Sequence, residues 1–214
     1  EREIVECERC PRLRAWCREV ARVKRRAFQD WDYWGKPVPG FGDPAARLLV
    51  VGLAPAAHGA NRTGRVFTGD KSGDWLYRAM WQTGFANQAE ATHRGDGLEL
   101  RDAWISASVR CAPPDNKPTT EEIATCREYL EREVALLKNV RVVVALGRLA
   151  FDNWQRVSGR KSKTAFGHDV LHDMGDGAPA LITSYHPSQQ NPSTRKLTEP
   201  MLRAVFERAA AIIR

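Results

Sequence analysis

The sequence lacks any segment that resembles a membrane span. Its longest apolar run, residues 48–57, is interrupted by a glycine and a proline and is too short to cross a bilayer. A content of 43% hydrophobic and 28% charged residues excludes a disordered chain, and 214 residues suffice for a core that needs no disulfide bonds. No secretion signal is recognisable, so we expect a cytoplasmic protein without a membrane partner.

Acidic residues are too few to balance the basic ones. The 33 lysines and arginines against 26 aspartates and glutamates give a formal net charge of +7. This excess suits a polyanionic partner but does not establish one. Residues 18–26 hold five of the cations, which form either a solvated helix face or a contact surface for phosphates.

The glycine-rich segment 52–70 has no Walker spacing, which argues against a nucleotide-phosphate loop.

The five cysteines are an odd number, which argues against a framework of disulfides. Cys7 and Cys10 form a C-x2-C pair, Cys111 and Cys126 form a C-x14-C pair, and Cys17 is left over. One C-x2-C pair can arise by chance, but two pairs can converge on a single four-thiolate metal site. Zinc and an iron–sulfur cluster both suit four thiolates. The spacing is loose for a zinc knuckle, and it leaves the identity of the metal open.

Short apolar segments that alternate with amphipathic ones indicate an α/β fold. The strand candidates, each bounded by turn residues, are residues 47–52, 104–109, 140–146 and 180–184. Continuous apolar strands of this kind are typical of parallel sheets that are covered on both faces. We predict one domain over residues 1–214, with a central, mainly parallel four-stranded sheet, helices on both faces, and an N-terminal arm of residues 1–46.

Three unusual loops follow predicted strands at their carboxyl ends, where parallel sheets bind ligands. They carry Phe67 and Asp70 in the first loop, Asn116 in the second and His186 in the third. Phe67 could stack on a flat heterocycle, and Asp70 could stabilise a positive charge or position a water. His186 could donate a hydrogen bond to a group on which negative charge develops. The alternatives are a core phenylalanine, an N-cap aspartate for the helix that follows, and a structural histidine.

Several of these segments together resemble the uracil-DNA glycosylase superfamily, most closely its family 5, the type B enzymes with an iron–sulfur cluster. The matching segments follow the family's order along nearly the whole chain: residues 7–13, 33–42, 52–70, 110–119 and 185–191. The resemblance implies a monofunctional, monomeric DNA glycosylase of the prokaryotic nucleoid. Such an enzyme flips a damaged base out of double-stranded DNA and hydrolyses its N-glycosidic bond, leaving an abasic site.

The resemblance also implies roles for individual residues. Asp70 is the implied catalytic carboxylate, His186 the donor to the departing base, and Asn116 a further catalytic polar group at the base pocket. The implied ligands of a structural [4Fe–4S] cluster are Cys7, Cys10, Cys111 and Cys126. The implied substrate-binding residues are Gly52, Ala54, Pro55, Asn61, Phe67 and Ser188, and the implied DNA contacts are Arg62, Arg65, Gln189, Gln190 and Asn191.

Two positions depart from the best-known uracil glycosylases. Ala54 stands where those enzymes have a water-handling Asp or Asn, and residues 106–107 lie where a uracil-reading Asn is found in other families. We therefore expect a broad substrate range that includes uracil, hypoxanthine, xanthine and ethenocytosine.

Two other functions share part of this evidence. A non-catalytic nucleic-acid-binding protein with a structural four-cysteine metal site would explain the charge and the cysteines, but not the polar residues at three strand ends. A superfamily member that captures its abasic product covalently is the second alternative.

Overall fold

The computed structural model describes residues 1–188 and 197–214. The predicted DNA contacts Gln189, Gln190 and Asn191 lie outside the described residues. Within the described ranges, no helix is both long enough and apolar enough to cross a membrane.

Four parallel strands form the centre of a six-stranded mixed sheet, with the order β1-β3-β2-β4-β6-β5. The central strands are β2 (Leu48–Gly52), β3 (Ala103–Ala107), β4 (Val142–Leu146) and β6 (Ala180–Ser184), and the antiparallel edge strands are β1 (Phe41–Gly42) and β5 (Val170–His172). The predicted α/β fold is confirmed, whereas the predicted number of strands was two too low. The edge strands are only two and three residues long, so they show no period of their own.

The described residues form seven α-helices. They are α1 (Arg2–Val5), α2 (Pro11–Val23), α3 (Ala60–Thr63), α4 (Lys71–Gln82), α5 (Thr120–Leu136), α6 (Arg148–Val157) and α7 (Glu199–Ile213). Asp70 caps α4, Thr119 forms a complete capping box with Glu122 at the start of α5, and Thr198 caps α7. Each cap satisfies backbone N–H groups that have no partner within the helix.

Alternate residues of the central strands enter two cores on opposite faces of the sheet. One core joins the sheet to α4 and α7, and the other joins it to α5 and α6. A third apolar cluster lies beneath the N-terminal arm and contains the cysteines. The arm is therefore packed onto the sheet domain through its own small core.

The packing of α5 gives a prediction about stability, because two leucines of this helix differ in burial. Leu130 is fully buried, whereas Leu136 is 76% exposed. Leu130→Ala should lower the free energy of unfolding by about 2–5 kcal/mol, since it leaves a cavity in the core. Leu136→Ala should change it by less than about 0.5 kcal/mol. Denaturant titration of both variants tests this, and equal losses would contradict the packing of α5.

Candidate functional site

Phe67 and His186 meet at the carboxyl end of the parallel strands. The ring of Phe67 lies directly over Gly52, the last residue of β2, where an added Cβ would be 2.7 Å from Phe67 Cζ. The centroids of the Phe67 and His186 rings are 5.8 Å apart, with an interplanar angle of 30°. The absence of a side chain at Gly52 therefore allows a half-buried aromatic face to lie beside the histidine that follows β6.

The two oxygens of the Asp70 carboxylate lie in different environments. Oδ1 accepts hydrogen bonds from the backbone N–H groups of Ser72 at 2.9 Å and Gly73 at 3.2 Å, so the predicted N-cap is present. Oδ2 takes no part in these two bonds and lies against Gly59, where an added Cβ would be 2.0 Å away. The helix cap thus fixes the orientation of the carboxylate through hydrogen bonds to Oδ1 alone.

His186 lies at the end of β6 in an environment that disfavours its charged form. Burial lowers the pKa of His186, and the negative charge of Asp70 partly opposes this shift. The imidazole is therefore neutral at neutral pH, and a neutral imidazole still carries one N–H donor. The backbone N–H of Ser188 donates to the His186 carbonyl at 2.8 Å, which turns the chain immediately after the histidine.

The other predicted pocket residues occupy different surroundings. Ala54 and Pro55 follow β2, and Ala54 packs against the cysteine-containing cluster. Asn61 is fully buried, and its Nδ2 donates to the carbonyls of Cys17 and Ala57. Asn116 is exposed on a short 3-10 turn, Pro114–Asn116, with a backbone φ of 57°.

The two arginines that the resemblance implied as DNA contacts are buried, and both guanidiniums bond to other groups of this chain. Arg65 is 5% exposed and forms a two-bond ion pair with Asp96, at 2.9 and 2.7 Å. Arg62 is 4% exposed and donates to backbone carbonyls. A single sequence does not reveal such partners, because they lie on segments that only the fold brings together.

Four cysteines line one cavity between the N-terminal arm, the loop after β3, and α5. They are Cys7, Cys10, Cys111 and Cys126. Arg9, Arg14 and Arg110 line the same cavity and supply positive charge. The fifth cysteine, Cys17, is fully buried and directs its thiol towards the Ala112 carbonyl at 3.5 Å.

The donor set of this cavity suits a group with several thiolate ligands. Burial raises the pKa of the Cys126 thiol to about 11, while the charge and the backbone N–H of Arg110 favour the thiolate. That N–H group lies 3.3 Å from Cys126 Sγ. In the part of the chain that the structure describes, no three His, Cys, Asp or Glu side chains are arranged to hold a single metal ion.

Sequence reasoning missed two features of the site. The first is Gly59, whose lack of a side chain makes room for Asp70 Oδ2, and a glycine in a glycine-rich loop gives only a weak signal. The second is the contact of the Phe28 and Trp31 rings with the guanidinium of Arg62, at 3.9 and 4.0 Å from its Cζ. This contact joins segments that are distant in sequence.

Comparison with known proteins agrees with this architecture. The family model for the uracil DNA glycosylase superfamily matches residues 39–210. A Type-5 uracil-DNA glycosylase of Mycobacterium tuberculosis is 50% identical over 209 residues, which cover 96% of this chain and 78% of the relative. A Type-5 uracil-DNA glycosylase of Thermus thermophilus is 47% identical over 207 residues, which cover 96% of this chain and 93% of the relative.

A more distant relative bears a different type number. A Type-4 uracil-DNA glycosylase of Pyrobaculum aerophilum is 30% identical over 186 residues, which cover 84% of this chain and 83% of the relative. The family model begins at residue 39, so it spans all the described strands and α3 to α6, and the matches to the two Type-5 relatives each cover 96% of the chain. The chain therefore belongs to the uracil-DNA glycosylase superfamily of hydrolases that act on N-glycosyl bonds.

Proposed function

We propose that this protein is a monofunctional DNA glycosylase that removes uracil and other deaminated or modified bases from DNA. The observation that carries the proposal is a convergence at the carboxyl end of the parallel strands. Phe67 and Asp70, in the loop after β2, lie close to His186, which follows β6. The names of the Type-5 relatives support uracil as a substrate.

Access to the N-glycosidic bond requires the nucleotide to leave the base stack. Flipping costs a few kcal/mol, and a stacking surface in the pocket offsets part of this cost. The half-buried ring of Phe67 supplies that surface, and the absence of a side chain at Gly52 leaves room for the ring. We propose that the protein acts as a monomer at the nucleoid and prefers double-stranded DNA.

Catalysis is proposed to be mainly electrostatic. When the bond between C1′ and the base nitrogen breaks, its electron pair leaves with the base and positive charge develops on the sugar. Asp70 Oδ2, which the helix cap does not use, stabilises that charge and orients the attacking water. The neutral His186 donates an N–H to the anionic base, and Asn116 remains a proposed further polar group.

A broad range of bases is proposed because the edge of the pocket lacks an amide at residues 106–107. Ser106 is fully buried, and its hydroxyl donates to the Glu133 carboxylate at 2.5 Å. This bond uses the one proton that the hydroxyl can donate, so Ser106 does not offer a base the N–H donor that an amide would. The proposed substrates are uracil, hypoxanthine, xanthine and ethenocytosine.

We also propose that Cys7, Cys10, Cys111 and Cys126 hold a structural [4Fe–4S] cluster. The support is the single cavity that the four thiols line and the arginines around it. When bound, the cluster would serve as a covalent cross-link between the arm, the loop after β3, and α5. These residues would hold the loops at the DNA face and take no part in bond cleavage.

Replacement of Asp70 tests the proposed reaction. Asp70→Asn keeps a good N-cap but removes the negative charge, so single-turnover excision of uracil should fall by about a hundredfold or more. Duplex binding should change little. Asp74→Asn, one turn further along the exposed side of α4, is the matched control and should retain the native rate. Unchanged excision by Asp70→Asn would remove Asp70 from the mechanism.

The substrate range is tested with duplexes that each contain one altered base. Purified protein is incubated with uracil, hypoxanthine, xanthine or ethenocytosine DNA, and alkali then cuts the abasic sites. We expect strand cuts for all four bases after alkali and none before it. Cutting of the uracil duplex alone would contradict the broad range, and cutting before alkali would contradict the monofunctional reaction.

Metal analysis of cysteine variants tests the cluster. Anaerobically purified protein should be brown, absorb near ~400 nm and contain iron. Cys126→Ser should lose the colour and iron, whereas Cys17→Ser should retain both. Colourless protein with one bound zinc would overturn the cluster, and loss of iron in Cys17→Ser would show that the ligand set is wrong.

A further inference from the structure

Arg62 connects the two backbone segments that surround the Asp70 carboxylate. Its Nε donates to the His58 carbonyl at 2.8 Å, and its Nη2 donates to the Gly69 carbonyl at 2.8 Å. His58 immediately precedes Gly59, the residue against which Oδ2 lies, and Gly69 immediately precedes Asp70. One planar guanidinium therefore spans both sides of the proposed catalytic group.

The guanidinium is itself held by the N-terminal arm. The rings of Phe28 and Trp31 contact it, and these rings meet edge to face at an interplanar angle of 79°. The two rings therefore approach the guanidinium from different directions, and cation–π attraction favours this arrangement when water is excluded. The backbone carbonyl of Arg62 also accepts a hydrogen bond from the backbone N–H of Trp34 at 2.9 Å.

Charge adds to this geometry. Burial lowers the pKa of Arg62, and the negative charge of Asp70 opposes this shift. An arginine side chain remains protonated in proteins, so a positive charge persists close to the Asp70 carboxylate. A lysine would keep the charge but would not present the rigid fork that bonds two carbonyls at once.

From these contacts we infer that Arg62 is a positioning residue that sets the place of Asp70 Oδ2 by fixing the His58–Gly59 and Gly69–Asp70 segments together. This inference rests on the proposed function, because it gives Arg62 an effect only through the Asp70 carboxylate. Arg62 contacts neither the base nor the sugar in this account. Its loss should slow the chemical step and leave DNA affinity unchanged.

A double-mutant cycle in single-turnover excision of uracil tests the inference. Arg62→Lys should lower the rate constant at saturating enzyme by about tenfold to a hundredfold, since small misplacements of a reacting group cost this much. The enzyme concentration that gives half the maximal rate should stay within about twofold of the native value. In an Asp70→Asn background, Arg62→Lys should cause little further loss, because both changes remove the same effect.

A control variant separates positioning from general instability. Val205→Ala in α7 creates a cavity in the core, because Val205 is fully buried. At a temperature where both variants are folded, it should lower the melting temperature but retain the native rate. A rate loss in Val205→Ala equal to that in Arg62→Lys would overturn the inference.

Failure of the inference and failure of the proposed function give different results. A native rate in Arg62→Lys, or an equal loss in the native and Asp70→Asn backgrounds, would overturn the role of Arg62 alone. A native rate in Asp70→Asn would instead overturn the proposed function of Asp70, whatever Arg62→Lys does.

Discussion

The site depends on one carboxylate that is both structural and available for chemistry. Asp70 Oδ1 satisfies two N–H groups at the start of α4, which ties the orientation of the carboxylate to the helix and to the sheet on which it packs. Oδ2 lies against Gly59, which has no side chain. A side chain at Gly59 would displace the carboxylate, so the helix cap and the glycine act together.

The N-terminal arm extends this constraint from the helix to the rest of the protein. Its aromatic residues contact Arg62, and its Cys17 carbonyl accepts a hydrogen bond from Asn61 of α3. Its first two cysteines line the cavity shared with Cys111 and Cys126. The arm is thus the support of the loop that carries Asp70, and the proposed cluster would make that support more rigid.

The sequence predicted the central strands well because each carries its own local signal. Strand β4 is a continuous apolar segment, and α5 opens on a capping box. The edge strands β1 and β5 have no comparable signal, since pairing with a neighbour defines them. For the same reason, the sequence does not show which partner Arg65 has. Asp96, with which it forms an ion pair, lies thirty-one positions away in the sequence. Local patterns predict elements, whereas burial and partners depend on the assembled fold.

The central claim is that Asp70 acts on the bond and not on the binding of DNA. The most direct measurement is single-turnover uracil excision by Asp70→Asn, with duplex affinity measured on the same preparation. The account predicts a loss of about a hundredfold or more in the rate constant at unchanged affinity. Native excision, or a loss that is explained entirely by weaker DNA binding, would contradict it.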